Sequence, residues 1–79
     1  MLKFSKIKVP SGIKFTDISS EMYRIYYYPD KSTQSIDSPI ALHVSKSGNH
    51  RLIDSRGVSH IVMAGFQRIE FVANPQFII

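Results

Sequence analysis

The chain contains no cysteine, and this absence excludes several classes of protein. Without thiols it can form neither a disulfide framework nor a thiolate metal site, and it cannot use a cysteine nucleophile. Long apolar runs are missing too, since no stretch reaches the roughly 18 apolar residues of a membrane span. The first residues alternate apolar and basic side chains and do not form the apolar core of a signal peptide. We therefore expect a cytoplasmic protein with no membrane partner.

Catalytic motifs are missing as well. The four glycines stand at separate turns, so the sequence contains neither a phosphate-binding loop nor a dinucleotide fingerprint, both of which need closely spaced glycines. No serine lies in the Gly-x-Ser-x-Gly frame of a hydrolase nucleophile, and the six acidic residues are scattered along the chain. A chain of 79 residues also offers little concave surface for a substrate. We predict a protein that is not an enzyme and that binds no cofactor and no small-molecule substrate.

Acidic residues are absent from the first part of the chain, where basic residues are frequent. The net charge is +4, and all the basic residues before Asp17 are lysines: Lys3, Lys6, Lys8 and Lys14. After residue 14, six basic residues balance six acidic ones. The positive field should therefore be concentrated on the N-terminal segment, which favours a polyanionic partner.

Helical periodicity is lacking, because no stretch of about 11 or more residues holds a clean apolar stripe of helical spacing. Valine, isoleucine, tyrosine and phenylalanine, which favour strands, supply much of the apolar content. With 43% hydrophobic residues the chain has enough apolar surface for one core. Residues 1–79 are therefore expected to form a single small domain that is all-β or β-dominated α+β.

The first half of the chain predicts strands joined by short irregular segments. Residues 3–9 predict a strand that ends at Pro10, and residues 17–22 have the N-cap residue types of at most one short helix. Aromatic and β-branched residues at 23–28 predict another strand. The small polar residues of 31–39 predict the longest loop, mobile at its middle.

Residues 40–72 predict an antiparallel β-meander. Its turns are expected at Ser47-Gly48-Asn49, at Ser55-Arg56-Gly57 and, as a two-residue loop, at Ala64-Gly65. A first loop of two or four residues would pair Leu42 with Ile53 and His43 with Leu52. A second loop of three residues, with Gly57 left-handed, would pair Ile53 with Ser59 and Leu52 with His60.

This register places large apolar side chains on both faces of the meander. Leu42, Ile53 and Ile61 would share one face, and Val62 and Ile69 would lie on the other. An open sheet with one face in water does not tolerate this pattern. We predict a meander of five or six strands that curls into a half-open SH3-like or OB-like barrel. The alternative is a helix at residues 17–22 lying on one face.

Three histidines lie within the meander, and the predicted register places His43, His50 and His60 on one face with Asp54 nearby. Nitrogen and carboxylate ligands at this spacing suit zinc, and His50 and His60 could reach one ion. The alternative is that these histidines make ordinary hydrogen bonds at the surface. We favour the alternative and predict no metal site, because a two-residue second turn would already move His60 to the opposite face.

Binding to another protein is the function that the sequence favours. Tyrosine and arginine, which protein interfaces favour, occur together between residues 23 and 28. An unpaired strand edge and the apolar end Phe77 to Ile79 offer routes to strand addition or self-association, and we expect Phe77 to Ile79 to pack on the sheet or on a neighbouring subunit. We predict a small accessory protein of the kind that bacteriophages or mobile elements encode.

Binding to single-stranded nucleic acid is the alternative function. Small barrels bind single strands with lysines on the phosphates and exposed aromatic rings as stacking platforms, and basic and aromatic residues alternate in the first part of this chain. No nucleic-acid-binding motif accompanies them. For either partner the predicted binding surface consists of Lys3, Lys6, Lys8, Lys14, Tyr23, Arg24, Tyr26 and Tyr28.

Overall fold

A computed structural model describes residues 1–8 and 12–73, and these residues form a β structure with a single 3-10 turn at Phe4–Lys6. The strands, in chain order, are β1 (Thr16–Asp17), β2 (Glu21–Tyr27), β3 (Thr33–Asp37), β4 (Pro39–Val44), β5 (His50–Asp54), β6 (Ser59–Val62) and β7 (Arg68–Ala73). The predicted β-dominated fold class is therefore confirmed. None of the described helical residues belongs to a segment long and apolar enough to cross a membrane.

The strands form two antiparallel sheets that share one long, bent hairpin. The first sheet has the order β1-β4-β5-β6, and the second sheet has the order β3-β2-β7. One arm of the hairpin supplies β1 and β2 and the other supplies β3 and β4, because β1 pairs with β4 while β2 pairs with β3. Each sheet therefore contains one strand from each arm of this hairpin. β5 and β6 are added to the first sheet, and β7 is added to the second.

The bend in the second arm lies at Ser38, between β3 and β4. Ser38 has a φ of 48°, a left-handed conformation that few residues other than glycine adopt. Its N–H donates to the Met22 carbonyl at 2.8 Å, and its own carbonyl accepts from the Ser55 N–H at 2.9 Å. Because Met22 belongs to the second sheet and Ser55 follows the last residue of β5, the corner is held by both sheets.

Three hairpins end in loops that are built in the same way. The loops lie between Tyr28 and Ser32, between Ser45 and Asn49, and between Asp54 and Val58, and a backbone hydrogen bond closes each of them. The third loop residue is left-handed in every case: φ is 72° at Lys31, 89° at Gly48 and 85° at Gly57. This construction confirms the predicted turn at Gly57 and the predicted pairing of Ile53 with Ser59.

The first hairpin of the meander has a different register from the predicted one. Leu42 pairs with Leu52 and not with Ile53, because the loop between the closing residues contains three residues and not two or four. A shift by one residue moves every side chain to the opposite face of a strand. His43 therefore lies on the face opposite to His60, and the predicted cluster of three histidines is wrong.

The predicted meander ends one strand early. β4, β5 and β6 form it, but β7 pairs with β2 in the second sheet, so the expected hairpin loop at Ala64-Gly65 is wrong. Residues 63–67 instead cross from one sheet to the other. They do so because Phe66 packs against the core, while the Tyr28 hydroxyl donates to the Met63 carbonyl at 3.2 Å.

Three predictions for the first half of the chain are also wrong. Residues 3–8 contain a 3-10 turn and no strand, and the rest of that predicted strand lies outside the described residues. Residues 17–22 form no helix, because the chain turns there between β1 and β2. Residues 31–39, predicted as a mobile loop, contain β3 and the start of β4, since Ile36 is buried in the core.

The core lies between the two sheets. Its buried apolar side chains are Ile18, Tyr26, Ile36, Leu52 and Val62. Tyr26 belongs to β2, so the predicted strand at 23–28 is confirmed. The barrel remains a prediction, because the described strands form two sheets and no closed barrel is found among them. The expected packing of Phe77 to Ile79 lies outside the described residues.

Lys31 offers a direct test of the shared loop construction. A residue with a side chain loses roughly 1–2 kcal/mol of stability in the left-handed conformation, and glycine avoids this loss. Glycine also has more conformational freedom in the unfolded chain, which cancels part of the gain. We predict that Lys31→Gly raises the free energy of unfolding by about 1 kcal/mol in urea denaturation. Lys46→Gly is the matched control, because it removes the same side chain from a loop position without left-handed φ. A Lys31→Gly variant no more stable than Lys46→Gly would contradict this account of the loops.

Candidate functional site

A chain of four buried polar side chains connects the two sheets through the core. Arg24 on β2 donates to both carboxylate oxygens of Glu21, from Nε at 2.9 Å and from Nη2 at 2.7 Å. Nη1 of Arg24 donates to the Tyr26 hydroxyl at 3.3 Å, and this hydroxyl lies 2.7 Å from Nδ1 of His50 on β5. All four residues are buried, so the network is shielded from water.

The pairing of Glu21 with Arg24 depends on a β-bulge. Residues three apart on a regular strand point to opposite faces of the sheet. The register between β2 and β7 shifts between Glu21 and Tyr23, so Met22 is an extra residue on β2. The bulge turns Glu21 towards the inner face, where it meets Arg24.

The protonation states of this network follow from its burial. Burial alone would lower the pKa of Arg24, but its hydrogen bonds to Glu21 raise that pKa above the ordinary value. Burial raises the pKa of the Tyr26 phenol, against the opposing effect of Arg24. Burial also lowers the pKa of the His50 imidazole, and the charge of Arg24 lowers it further. His50 is therefore neutral at pH 7. Because the Tyr26 hydroxyl accepts from Arg24 and has no other acceptor for its own proton among the described residues, we infer that it donates to Nδ1 of His50.

Phe66, from the segment that crosses between the sheets, packs against this network. Its ring centroid lies 4.9 Å from that of Tyr26, 5.0 Å from that of His50 and 6.4 Å from that of Tyr28. The three contacts are edge-to-face, an arrangement that aromatic rings favour. The aromatic contacts therefore tie the crossing segment to the same residues that join the sheets.

A second buried acid, Asp54, is neutralised at the end of β5. Its side chain is 1% exposed, and its Oδ2 accepts from Arg56 Nη2 at 2.8 Å and from His60 Nε2 at 2.9 Å. Its Oδ1 accepts from the backbone N–H groups of Arg56 and Val58. Burial alone would raise the pKa of Asp54, but these hydrogen bonds hold it well below its ordinary value. Asp54 therefore stays ionised at neutral pH, where it stabilises the turn and is unsuited to act as a general acid.

The histidines that share a face are both engaged in hydrogen bonds. His50 is bonded to Tyr26 and His60 to Asp54, while His43 lies on the other face of the first sheet. Within residues 1–8 and 12–73, no group of three or more histidine, cysteine, aspartate or glutamate side chains is placed to hold a metal ion. The zinc hypothesis therefore has no ligand set in this part of the chain.

The residues of the predicted binding surface are divided between different parts of the molecule. The exposed members are Lys3, Lys6, Lys8 and Lys14. Tyr23 is half-buried on the outer face of the second sheet, and Tyr28 packs against the core. Arg24 and Tyr26 belong to the buried network and do not lie on the exposed surface. The reason is the alternation of side chains on β2, which places Arg24, Tyr26 and Tyr28 on its inner side.

The last strand of each sheet has an unpaired edge. Among the described strands, β6 pairs only with β5, and β7 pairs only with β2. Large apolar side chains are exposed on or beside these strands: Ile61 (53%), Met63 (59%), Phe71 (56%) and Val72 (36%). Such an edge can accept a strand from another chain. The sequence did not reveal these two edges, because the predicted meander paired β6 with β7.

The outer face of the first sheet, defined by His43, Arg51 and Ile61, carries an arginine that no described acid pairs with. Ion pairs elsewhere in the described chain join Glu21 to Arg24, Asp54 to Arg56, and Glu70 to Arg68. Lys14 lies beside His43, whose Nδ1 donates to its carbonyl at 2.9 Å, while the acid of this face, Asp17, lies at the position paired with Ala41. Uncompensated positive charge therefore lies at the Arg51 end of this face.

Comparisons with protein-family models, with curated proteins and with solved structures find no match to this chain. The function is therefore inferred from the geometry of the strand edges and from the distribution of charge.

The Tyr26 hydroxyl is the group whose removal tests the buried network. We predict that Tyr26→Phe lowers the free energy of unfolding by about 1–3 kcal/mol, because Nδ1 of His50 is left without its donor in a buried site. Tyr27→Phe is the matched control, since the Tyr27 hydroxyl makes only a 3.3 Å hydrogen bond to Glu70 on the outer face. It should cost less than about 0.5 kcal/mol in the same urea denaturation. Equal costs for the two variants would show that the network contributes nothing particular to stability.

Proposed function

We propose that the protein acts by binding another protein, an extended segment of which adds as a strand to the unpaired edge of β7. One observation carries this proposal: among the described strands β7 pairs on one side only, and it exposes Phe71 and Val72. Strand addition supplies backbone hydrogen bonds for affinity and side-chain contacts for specificity. The cytoplasmic location and the bacteriophage or mobile-element origin predicted from the sequence belong to this proposal, as does a role without catalysis.

Within the described residues, the edge of β7 has little of the protection that edge strands usually have. Proteins protect such edges with very short strands, proline, uncompensated charges or bulges on the edge strand. β7 runs from Arg68 to Ala73 without proline, and its two charged residues, Arg68 and Glu70, form an ion pair with each other at 3.9 Å. No described strand pairs with this edge, which is long enough to pair with a partner strand.

The inner face of β7 offers a contact for a side chain of the added strand. The Arg24 guanidinium carbon lies 5.4 Å from the Phe71 ring centroid, so one side of the ring is covered. The ring is nevertheless 56% exposed. An apolar side chain on the added strand would cover the exposed part and bury additional apolar area.

Val72→Lys tests the β7 edge, because a lysine on an edge strand opposes strand addition. We predict that the tagged wild-type chain recovers a protein from its source cells, or self-associates in sizing chromatography, and that Val72→Lys weakens this interaction about tenfold or more. Val58→Lys is the matched control, since Val58 is also an exposed valine but lies in the loop between β5 and β6.

Val58→Lys should retain the partner or the dimer. Equal binding by both variants would contradict the assignment to β7. A monomeric wild-type chain that recovers no partner would contradict protein binding as a whole.

Single-stranded nucleic-acid binding is the second candidate, and the position of Phe15 favours it. The Phe15 ring packs edge-on against His43, with the centroids 6.0 Å apart, and Lys14 precedes it on the positively charged side of the molecule. An aromatic ring beside lysines is the combination that single-strand-binding surfaces use. The buried Tyr26 is not available for stacking, so the candidate depends on the N-terminal segment and not on the tyrosine-rich strand.

The salt dependence of binding tests this candidate. We predict that a single-stranded oligonucleotide binds with an affinity that falls steeply with salt, because lysine contacts to phosphates release counterions. Replacing Lys3, Lys6, Lys8 and Lys14 by glutamine should reduce the slope by about 0.7 for each phosphate contact that is lost. Lys31→Gln, at the tip of the long hairpin, is the control and should change the slope little. Binding that does not depend on salt, or no binding at all, would refute the candidate.

A further inference from the structure

A depression of about 280 Å³ lies on the outer face of the first sheet, beside the loop between β4 and β5. Its lining includes His43, Ser47, Asn49 and Arg51. No acidic side chain lines it among the described residues. The rest of the lining is Ser45, His50 and the apolar Ile13 and Ile61, so the depression joins apolar walls to hydrogen-bonding groups and one guanidinium.

Arg51 and His43 are direct neighbours on two adjacent strands. They are register partners on β4 and β5, and Ile61 of β6 continues the same row. Arg51 is half-buried and has no acidic partner among the described residues. Its guanidinium therefore lacks a counter-charge that an anion would supply.

The orientation of the His43 ring is fixed. Its Nδ1 lies 2.9 Å from the Lys14 carbonyl oxygen, which can only accept, so Nδ1 carries a proton. The Phe15 ring supports the imidazole from the side, with the centroids 6.0 Å apart. In the neutral ring Nε2 is then an acceptor, so His43 forms part of the wall and is not itself a donor into the depression.

The loop adds neutral donors to the same depression. Ser45 and Ser47 share a hydrogen bond between their hydroxyls at 2.9 Å, and Ser45 Oγ also accepts from the Asn49 N–H at 3.1 Å. The Asn49 Oδ1 accepts from the Ala64 N–H at 2.8 Å, which leaves the side-chain NH₂ of Asn49 as a donor. The depression therefore combines a guanidinium, an imidazole, a hydroxyl and an amide NH₂.

We propose that this depression binds a phosphate group, with Arg51 as its principal ligand and Ser47 and Asn49 as further donors. A guanidinium donates two parallel hydrogen bonds to an oxyanion, and phosphate has enough oxygens for the other donors. The phosphate is either free phosphate or a phosphodiester of a single strand. The proposal is independent of strand addition at β7, and it deepens the nucleic-acid candidate only if the phosphodiester binds.

The test is a titration of the ¹⁵N-labelled full chain with sodium phosphate, at ionic strength held constant with sodium chloride. We expect saturable shifts of the amide signals of Ser47, Asn49 and Arg51. Arg51→Gln should weaken phosphate binding about tenfold or more, because a charged hydrogen-bond donor is lost. The phosphate affinity of Arg51→Lys should fall between those of the wild-type chain and Arg51→Gln, since lysine keeps the charge and loses the two parallel donors.

Arg68→Gln is the matched control. It makes the same substitution at an exposed arginine that packs over the Tyr27 ring on the outer face of the second sheet. It should change phosphate affinity less than about twofold, because a distant surface charge is largely screened by salt. Should Arg51→Gln fail to fold, Ser47→Ala tests the same depression, with an expected loss of several-fold because one hydrogen-bond donor to the phosphate is removed.

A second titration with a short single-stranded oligothymidylate distinguishes the two sources of phosphate. Binding of the oligonucleotide that Arg51→Gln weakens, and that free phosphate competes away, assigns the site to a phosphodiester. Binding of inorganic phosphate alone assigns it to free phosphate. No saturable shift with either probe, or equal affinity for Arg51→Gln and Arg68→Gln, would overturn the proposal and leave strand addition at β7 unaffected.

Discussion

The hydrogen-bond chain from Glu21 through Arg24 and Tyr26 to His50 is the constraint on which the rest of the structure depends. A buried ion pair that loses one partner destabilises a protein by roughly 3–5 kcal/mol, so Glu21 and Arg24 are buried together on β2, and the Tyr26 hydroxyl extends their network to His50 on the first sheet. Every buried side-chain nitrogen and oxygen in residues 1–8 and 12–73 has a hydrogen-bond partner. Because Tyr26 lies on β2 and His50 on β5, the network sets the position of the second sheet across the first.

The surface properties follow from this interior. Phe66 packs on Tyr26 and His50, so the chain after β6 crosses to the second sheet and cannot turn back along the first. That crossing leaves β6 and β7, like β1 and β3 among the described strands, with one unpaired edge each, and strand addition is proposed at β7 because it also exposes Phe71 and Val72. The buried acids have a second effect. Glu21 and Asp54 are neutralised inside the molecule by arginines, whereas Arg51 remains free of any described acid, which concentrates positive charge on the outer face of the first sheet.

The sequence predicts those parts of the fold that local chemistry determines. Gly57 after Asp54 specifies a left-handed loop residue, and the dense aromatic and β-branched run at 23–28 specifies a strand. β3 could not be predicted, because Ile36 is its only large apolar residue. The register of β4 against β5 depends on whether the loop at Gly48 has two, three or four residues, and a glycine is compatible with each. The inward position of Glu21 requires the bulge at Met22, which only the pairing of β2 with β7 reveals. The burial of Arg24 and Tyr26 depends on which face of β2 turns inward, and the alternating pattern does not decide this because both faces of the strand carry tyrosines.

The most direct test of the central claim is the state of the His50 ring, followed by ¹⁵N NMR through an acid titration. The account predicts that Nε2 carries the proton, that Nδ1 accepts from Tyr26, and that the ring stays neutral below the ordinary histidine pKa of 6.5, because burial and Arg24 lower its pKa. As the pH drops, His50 binds its second proton at a higher pH in the unfolded chain than in the folded one. The free energy of unfolding should therefore fall as the pH drops below 6.5. A His50 ring that carries its proton on Nδ1 at pH 7, or that titrates in the ordinary range, would contradict the account.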